Sequence, residues 1–119
     1  MSGWIGVDLD GTLAHYAGWV DELHIGAPVP PMVARVKAWL SQGHEVRIFT
    51  ARVAEGALNL DGTRHEVSHV RAAIEEWCER HIGVRLPVTN VKDYSMVELW
   101  DDRAVQVVPN TGLRADGGL

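Results

Sequence analysis

Two short apolar runs constrain this chain most: WIGVDL at residues 4–9 and EVRIFT at residues 45–50. Both are β-branched and too short to be helices, and both read as buried strands. Between them Pro30 and Pro31 suit a first helical turn, where no amide donor is needed, and Val33, Val36, Trp39 and Leu40 follow at helical spacing. Gly43 supplies the left-handed terminator. A strand, a helix and a second strand, each fully apolar on the inner side, predict a parallel crossover.

The alternation continues. Val67, Val70, Ile74, Trp77 and Cys78 mark a second helix over about residues 65–82, ended by Gly83. Residues 86–91, 97–101 (VELWD) and 104–108 (AVQVV) read as three further short strands. The expectation is an α/β fold with a mainly parallel sheet of about five strands flanked by helices. Residues 1–108 form one domain, and the Gly-rich stretch 109–119 is a flexible tail. Residues 11–27 carry no period and read as a loop with a small hairpin.

The 119 residues carry a net charge of −5, which argues against coating a nucleic-acid backbone or an anionic membrane. A metal-bridged phosphate ligand stays compatible, because a bound cation reverses the local field. Cys78 is the lone cysteine and the N-terminus has no basic region before its first acids. No leader, membrane span or disulfide is expected, and the expected setting is cytoplasmic.

Ligands of open α/β sheets bind beyond the carboxyl ends of the strands. Asp8 with Asp10, then Thr50, then Asp101 with Asp102 all fall at or just past expected strand ends. Carboxylates gathered at one edge destabilise one another's ionised forms unless a cation compensates, and hard oxygen donors suit Mg²⁺. A carboxylate beside such a metal can attack phosphorus, while a neighbouring acid protonates the leaving oxygen and later deprotonates water. The plain alternative is that DLDG is an Asp/Gly turn closing a strand.

Four motifs in order, DLDGTL at the end of one strand, FTAR at the end of the next, the lysine of NVKD and the acidic pair of LWDDRA, resemble the haloacid dehalogenase (HAD) superfamily over residues 4–108. The resemblance implies a Rossmann-like, HAD-like fold and a Mg²⁺-dependent phosphatase. Asp8 is then the nucleophile and a metal ligand. Asp10 is general acid and base and offers its backbone carbonyl to the metal. Thr50 would bond the transferring phosphoryl group, Lys92 would neutralise it, and Asp101 would complete the metal site. Asp102 is either a ligand or a water-bridged partner.

The gaps between Asp10 and Thr50 and between Thr50 and Lys92 hold a loop and a helix each, with no room for a cap domain. The chain thus resembles capless members, whose open sites accept large phosphorylated substrates or are shielded by a second copy. Small phosphorylated molecules, nucleotides and 3′-phosphorylated nucleic acid are the candidate substrates. His15, Tyr16, Trp19 and Arg52 are the candidate contacts to the leaving group. Tyr16 and Trp19 otherwise pack the loop onto the sheet. His65 and His69 read as a solvated face, and Trp4, Trp39, Trp77 and Trp100 as core.

Only about five residues separate the third and fourth strands, where a parallel crossover usually takes a dozen or more. Either the third strand is vestigial or the sheet departs from the family's order. The tetrapeptide LDGT recurs at residues 60–63, where Asp61-Gly62 reads as a turn and Thr63 with Glu66 as a capping box. Two other functions fit the same acids: a nuclease using them only as metal ligands, and a non-catalytic binding domain that keeps the fold.

Overall fold

Strand β1 (Trp4–Asp8) leads through a long loop to helix α1 (Pro30–Ser41), then strand β2 (Glu45–Phe49), helix α2 (Val67–His81), strand β3 (Val88–Thr89) and strand β4 (Met96–Trp100) in a computed structural model that describes residues 2–118. Met1 and Leu119, the outer ends of the expected domain and tail, lie outside the described residues. The four strands form one parallel sheet in the order β3-β2-β1-β4. No described helix is long and apolar enough to cross a membrane.

Strand alternation decides which face is the core. Ile5 pairs with Val46 and Val7 with Ile48, and all four are buried with Val36 of α1 and Val70, Ile74 and Cys78 of α2. Both crossovers, β1-α1-β2 and β2-α2-β3, step in the same direction across the sheet, and the right-handed rule then puts both helices on one face. Trp100 closes this layer at the edge. Its ring meets Trp39 edge-on at 5.2 Å, and the Arg35 guanidinium sits 4.8 Å from it. The helix ends follow the sequence, with Gly43 and Gly83 both at positive φ.

The opposite face carries Trp4, Gly6, Asp8, Arg47 and Phe49, with Met96 and Leu99 of β4 in register beside Trp4 and Gly6. No helix covers it. Trp4 nevertheless is 1% exposed, because the Arg47 guanidinium lies over its ring at 4.5 Å and its indole N–H donates to Asp93 at 2.8 Å. Gly6 is required beneath this layer: a Cβ there would stand 2.9 Å from the Met96 methyl.

Asp93 belongs to the link between β3 and β4, and the link explains the short spacing in the sequence. β3 is vestigial, two residues paired with Ile48 and Phe49, and is held by the Arg71 guanidinium donating to the Val88 carbonyl. From there the chain must cross three strand spacings, about 14 Å, and descend about 13 Å to reach the level of Trp4. The diagonal is about 19 Å, and seven Cα steps in extended form span about 23 Å. Residues 90–95 therefore run nearly straight across the helix-free face, with no slack for a helix.

Two expectations are corrected. The sheet has four strands, not about five, because residues 104–108 pair with nothing in the sheet. Val105, Val107 and Val108 are 40–50% exposed; β propensity reports a fit to a half-buried pleated surface, and here no such surface is offered. Val107 instead bridges Arg114 across a turn. Nor does Thr63 cap α2, whose N-cap is Glu66 without a side-chain bond. The Asp61–Gly62 turn does form: Asp61 accepts from the Thr63 N–H at 2.9 Å and from its hydroxyl at 2.6 Å.

Candidate active site

The carboxyl ends of β1 and β4 are neighbours, so Asp8 and the Asp101/Asp102 pair meet by topology alone. One carboxylate oxygen each of Asp8, Asp101 and Asp102 lie within 4.8 Å of one another. The DGT that follows β1 is shaped to this meeting. Gly11 has φ +88°, and a Cβ there would stand 2.5 Å from Asp102 Oδ2, so the carboxylate occupies the space a side chain would fill. The Thr12 hydroxyl lies 3.4 Å from both Asp8 Oδ2 and Asp102 Oδ1, and accepts from the Asp102 N–H at 3.1 Å. Its single proton serves one carboxylate at a time.

That proton cannot offset the accumulated charge. Burial, the hydrogen bond shared with Asp102, and the charges of Asp101, Asp102 and Asp10 push Asp8 up to about 7. The donor set is all carboxylate oxygen, converges from two strands and leaves an open side, which fits Mg²⁺ and similar hard divalent cations. Asp10 is not one of this cluster. Its two oxygens accept from Arg52 Nε and Nη2, both at 2.8 Å.

Arg52 was expected at the substrate, and the structure engages it otherwise. It is 6% exposed; Nη1 donates to the carbonyls of Glu22 at 3.0 Å and Asp21 at 3.4 Å, and its guanidinium carbon lies 4.8 Å from the Trp19 ring centroid. The same side chain thus ties the loop after β1 to the end of β2. Thr50 starts the short 3-10 turn Ala51–Val53, where its hydroxyl accepts from the Arg52 N–H at 3.2 Å. Thr50 is 3% exposed and lines the main cavity.

That cavity, about 470 Å³, holds Asp8, Asp10, Thr50 and Asp101 together with Tyr16, Arg52 and Arg103. His15 is exposed and lines a smaller neighbouring cavity of about 230 Å³, to which Tyr16, Trp19 and Arg52 also contribute. Lys92 lines neither cavity: it is exposed on the link crossing the helix-free face, beyond the edge strand. Arg103 lines the main cavity; its backbone N–H donates to Asp101 Oδ1 at 2.7 Å, and it has no ion pair among the described residues.

The sequence reading missed several residues. Thr12 was legible as the last letter of DGT, four residues after Asp8. Arg103 follows the acidic pair directly, and a position just beyond a strand's carboxyl end was signal enough. His65, read as solvated, stacks on Trp19 at 5.4 Å and 10° and donates from Nδ1 to the Arg52 carbonyl at 3.1 Å. Leu58 and Leu60 also line the cavity, and neither carries a motif.

No protein-family model matches the chain, and no curated protein matches it. A solved structure from Bacteroides thetaiotaomicron, described as a conserved protein, matches with a TM-score of 0.58 and 22% identity, covering 92% of this chain and 84% of that one. At that identity the likeness speaks for the fold alone, an all-parallel α/β sheet flanked by helices that is compatible with a Rossmann-like fold.

Proposed function

We propose that the chain is a Mg²⁺-dependent phosphomonoester hydrolase that works through an aspartyl-phosphate on Asp8. The observation that carries this reading is the convergence of Asp8, Asp101 and Asp102 within 4.8 Å at the rim of a cavity that also holds Thr50 and Arg103. Asp8, Asp101 and Asp102 would hold the cation, with the Asp10 carbonyl as a further oxygen donor; bound there, Mg²⁺ neutralises charge on the phosphoryl oxygens and lets Asp8 stay ionised.

An Asp8 oxygen attacks phosphorus, the bond from phosphorus to the leaving oxygen breaks, and the leaving alkoxide takes a proton from Asp10. Water then gives a proton to Asp10 and its oxygen attacks the same phosphorus, releasing inorganic phosphate and restoring Asp8. For both transfers the Asp10–Arg52 pair must open, since both carboxylate oxygens accept from Arg52 in the resting geometry, and Asp10 must first take up a proton from solvent, which the attacking water returns at the end of the cycle. The Thr50 hydroxyl bonds a phosphoryl oxygen. Arg103 takes the part first expected of Lys92, because the Arg52 donors are already engaged and Lys92 is off the cavity.

A panel of phosphate esters at saturating Mg²⁺, including nucleotides, sugar phosphates and 3′-phosphorylated oligonucleotides, tests this on wild type beside Asp8→Asn. The expected result is turnover of some ester by wild type, collapse of turnover in Asp8→Asn with Mg²⁺ binding largely kept, and a beryllofluoride adduct on Asp8. Loss of Mg²⁺ binding in proportion to activity would instead favour acids serving only as ligands, as in a nuclease. No turnover of any ester leaves a binding domain.

A further inference from the structure

The lining of the cavity is of two kinds. Asp8, Asp10, Asp101 and Thr50 supply carboxylates and a hydroxyl, while Tyr16, Trp19, Phe49, His65, Leu58 and Leu60 supply rings and branched carbon. The aromatic part is fixed relative to the acids by one chain of contacts. Arg52 grips Asp10 through two bonds of 2.8 Å, Trp19 lies against Arg52 at 4.8 Å, and His65 stacks on Trp19 while bonding the Arg52 carbonyl. Phe49 is one residue before Thr50 and directly beside Asp8 in the sheet register. A ring wall is thus held at a set distance from the nucleophile.

The apolar part is also uncovered. Leu60 is 89% exposed and Leu58 58% exposed, both on the hairpin bridged by Leu58 and Arg64, and Tyr16 is 37% exposed. Scattered surface leucines need no explanation, but these converge with four rings on one concavity. Among the described residues the buried polar atoms left without a partner are Asn59 Oδ1 and His65 Nε2, and both belong to this same segment. The Arg52 carbonyl can only accept, so His65 Nδ1 carries a proton, and Nε2 is left without a partner.

We infer that this part of the cavity is a leaving-group subsite for a flat aromatic ring, so that the substrate is a phosphate monoester of a ring-bearing alcohol. The inference rests on the phosphohydrolase reading for the placement of phosphorus at Asp8. Rings offset-stack on Trp and His faces and gain beyond the area they bury, and a concavity of this size accommodates a ring together with the phosphoryl group. A puckered aliphatic ring of the same carbon count cannot stack.

Benzyl phosphate and cyclohexylmethyl phosphate differ in that property while leaving as similar alkoxides. Wild type is expected to favour benzyl phosphate in kcat/KM by about tenfold, Trp19→Leu to bring the ratio to about one, and Leu60→Ser to lower kcat/KM severalfold for both esters. Leu60 is exposed, so its replacement keeps the test independent of folding. Equal kcat/KM for the two esters in wild type overturns the subsite and leaves the phosphatase standing. Binding of the two esters to Asp8→Asn, followed by calorimetry, reads the subsite without turnover. Preference there for benzyl phosphate in a chain that hydrolyses no ester sinks the phosphatase and keeps the subsite; equal binding sinks the subsite. Adenosine 5′-monophosphate, 3′-monophosphate and benzyl phosphate side by side separate a nucleoside source of the ring from an aryl one.

Discussion

Asp8→Asn is expected to stabilise the metal-free protein at neutral pH, although it removes the residue assigned the chemistry. The Asp8 carboxyl stands at about 7 in the fold against 3.8 for an ordinary aspartate. Between about pH 4 and about pH 7 the unfolded chain has released this proton and the native chain still holds it, so stability falls as pH rises through that window. Each pH unit costs about 1.4 kcal/mol for a fully effective group. Asp8 is only partly buried, and solvent screening leaves roughly half, about 2 kcal/mol across the window. An asparagine has no proton to lose. For a chain of this length ~2 kcal/mol corresponds to about 8 °C in Tm. Thermal unfolding of both proteins in chelator, from about pH 4 to about pH 8, should give curves that meet at low pH and separate by that amount at high pH. Taking the difference between the two proteins removes the histidines from the comparison. Parallel curves, or a variant less stable than wild type at high pH, would show that the three other acids do not act on Asp8 as the geometry requires.

Mg²⁺ at a hundredfold excess over its Kd should raise wild-type stability by about 2.7 kcal/mol near neutral pH, and by less at about pH 5, where protons compete for Asp8. Asp101→Asn with Asp102→Asn should abolish that gain in the same thermal assay. Gly11→Ala should also abolish it, because the new methyl meets Asp102 Oδ2 at 2.5 Å on a backbone at φ +88°; unchanged Mg²⁺ binding by calorimetry would contradict this. Arg52→Met leaves Asp10 without its partner and frees two loop carbonyls, and denaturant titration should show a loss of about 3 kcal/mol. Lys92→Ala should keep turnover within about twofold while Arg103→Ala lowers it about a hundredfold, measured on whichever ester the panel identifies.

The parallel core and the acids at its edge were legible because both depend on local pattern. A short β-branched run ending in acids fixes a strand and the end at which its polar groups emerge, as with Val7 and Asp8. What was not legible depended on partners. AVQVV has the composition of a strand, yet β4 offers its edge and the chain turns away after Asp102. Arg52 has a free choice between substrate and carboxylate until the loop after β1 brings the Asp21 and Glu22 carbonyls to it. His65 lies just before a helix with a polar face, and only the return of that loop sets Trp19 against it.

The proposed use of Arg103 in place of Lys92 rests on the same geometry. A residue is delivered to this site when it lies immediately after the carboxyl end of a strand near β1. Arg103 satisfies both conditions, since β4 pairs with β1 and ends at Trp100. Lys92 satisfies neither. Its strand is two positions from β1, about 10 Å, and the six residues after Thr89 have to reach the opposite end of the sheet. A helix in that link would have given the chain slack to pass over the site before descending. In its absence Trp4 is shielded by Arg47 and Asp93 beside Met96, and the lysine lies off the cavity. The vestigial third strand and the place of the lysine therefore have one cause, and the Lys92 already present is not expected to stand in for Arg103 in Arg103→Ala.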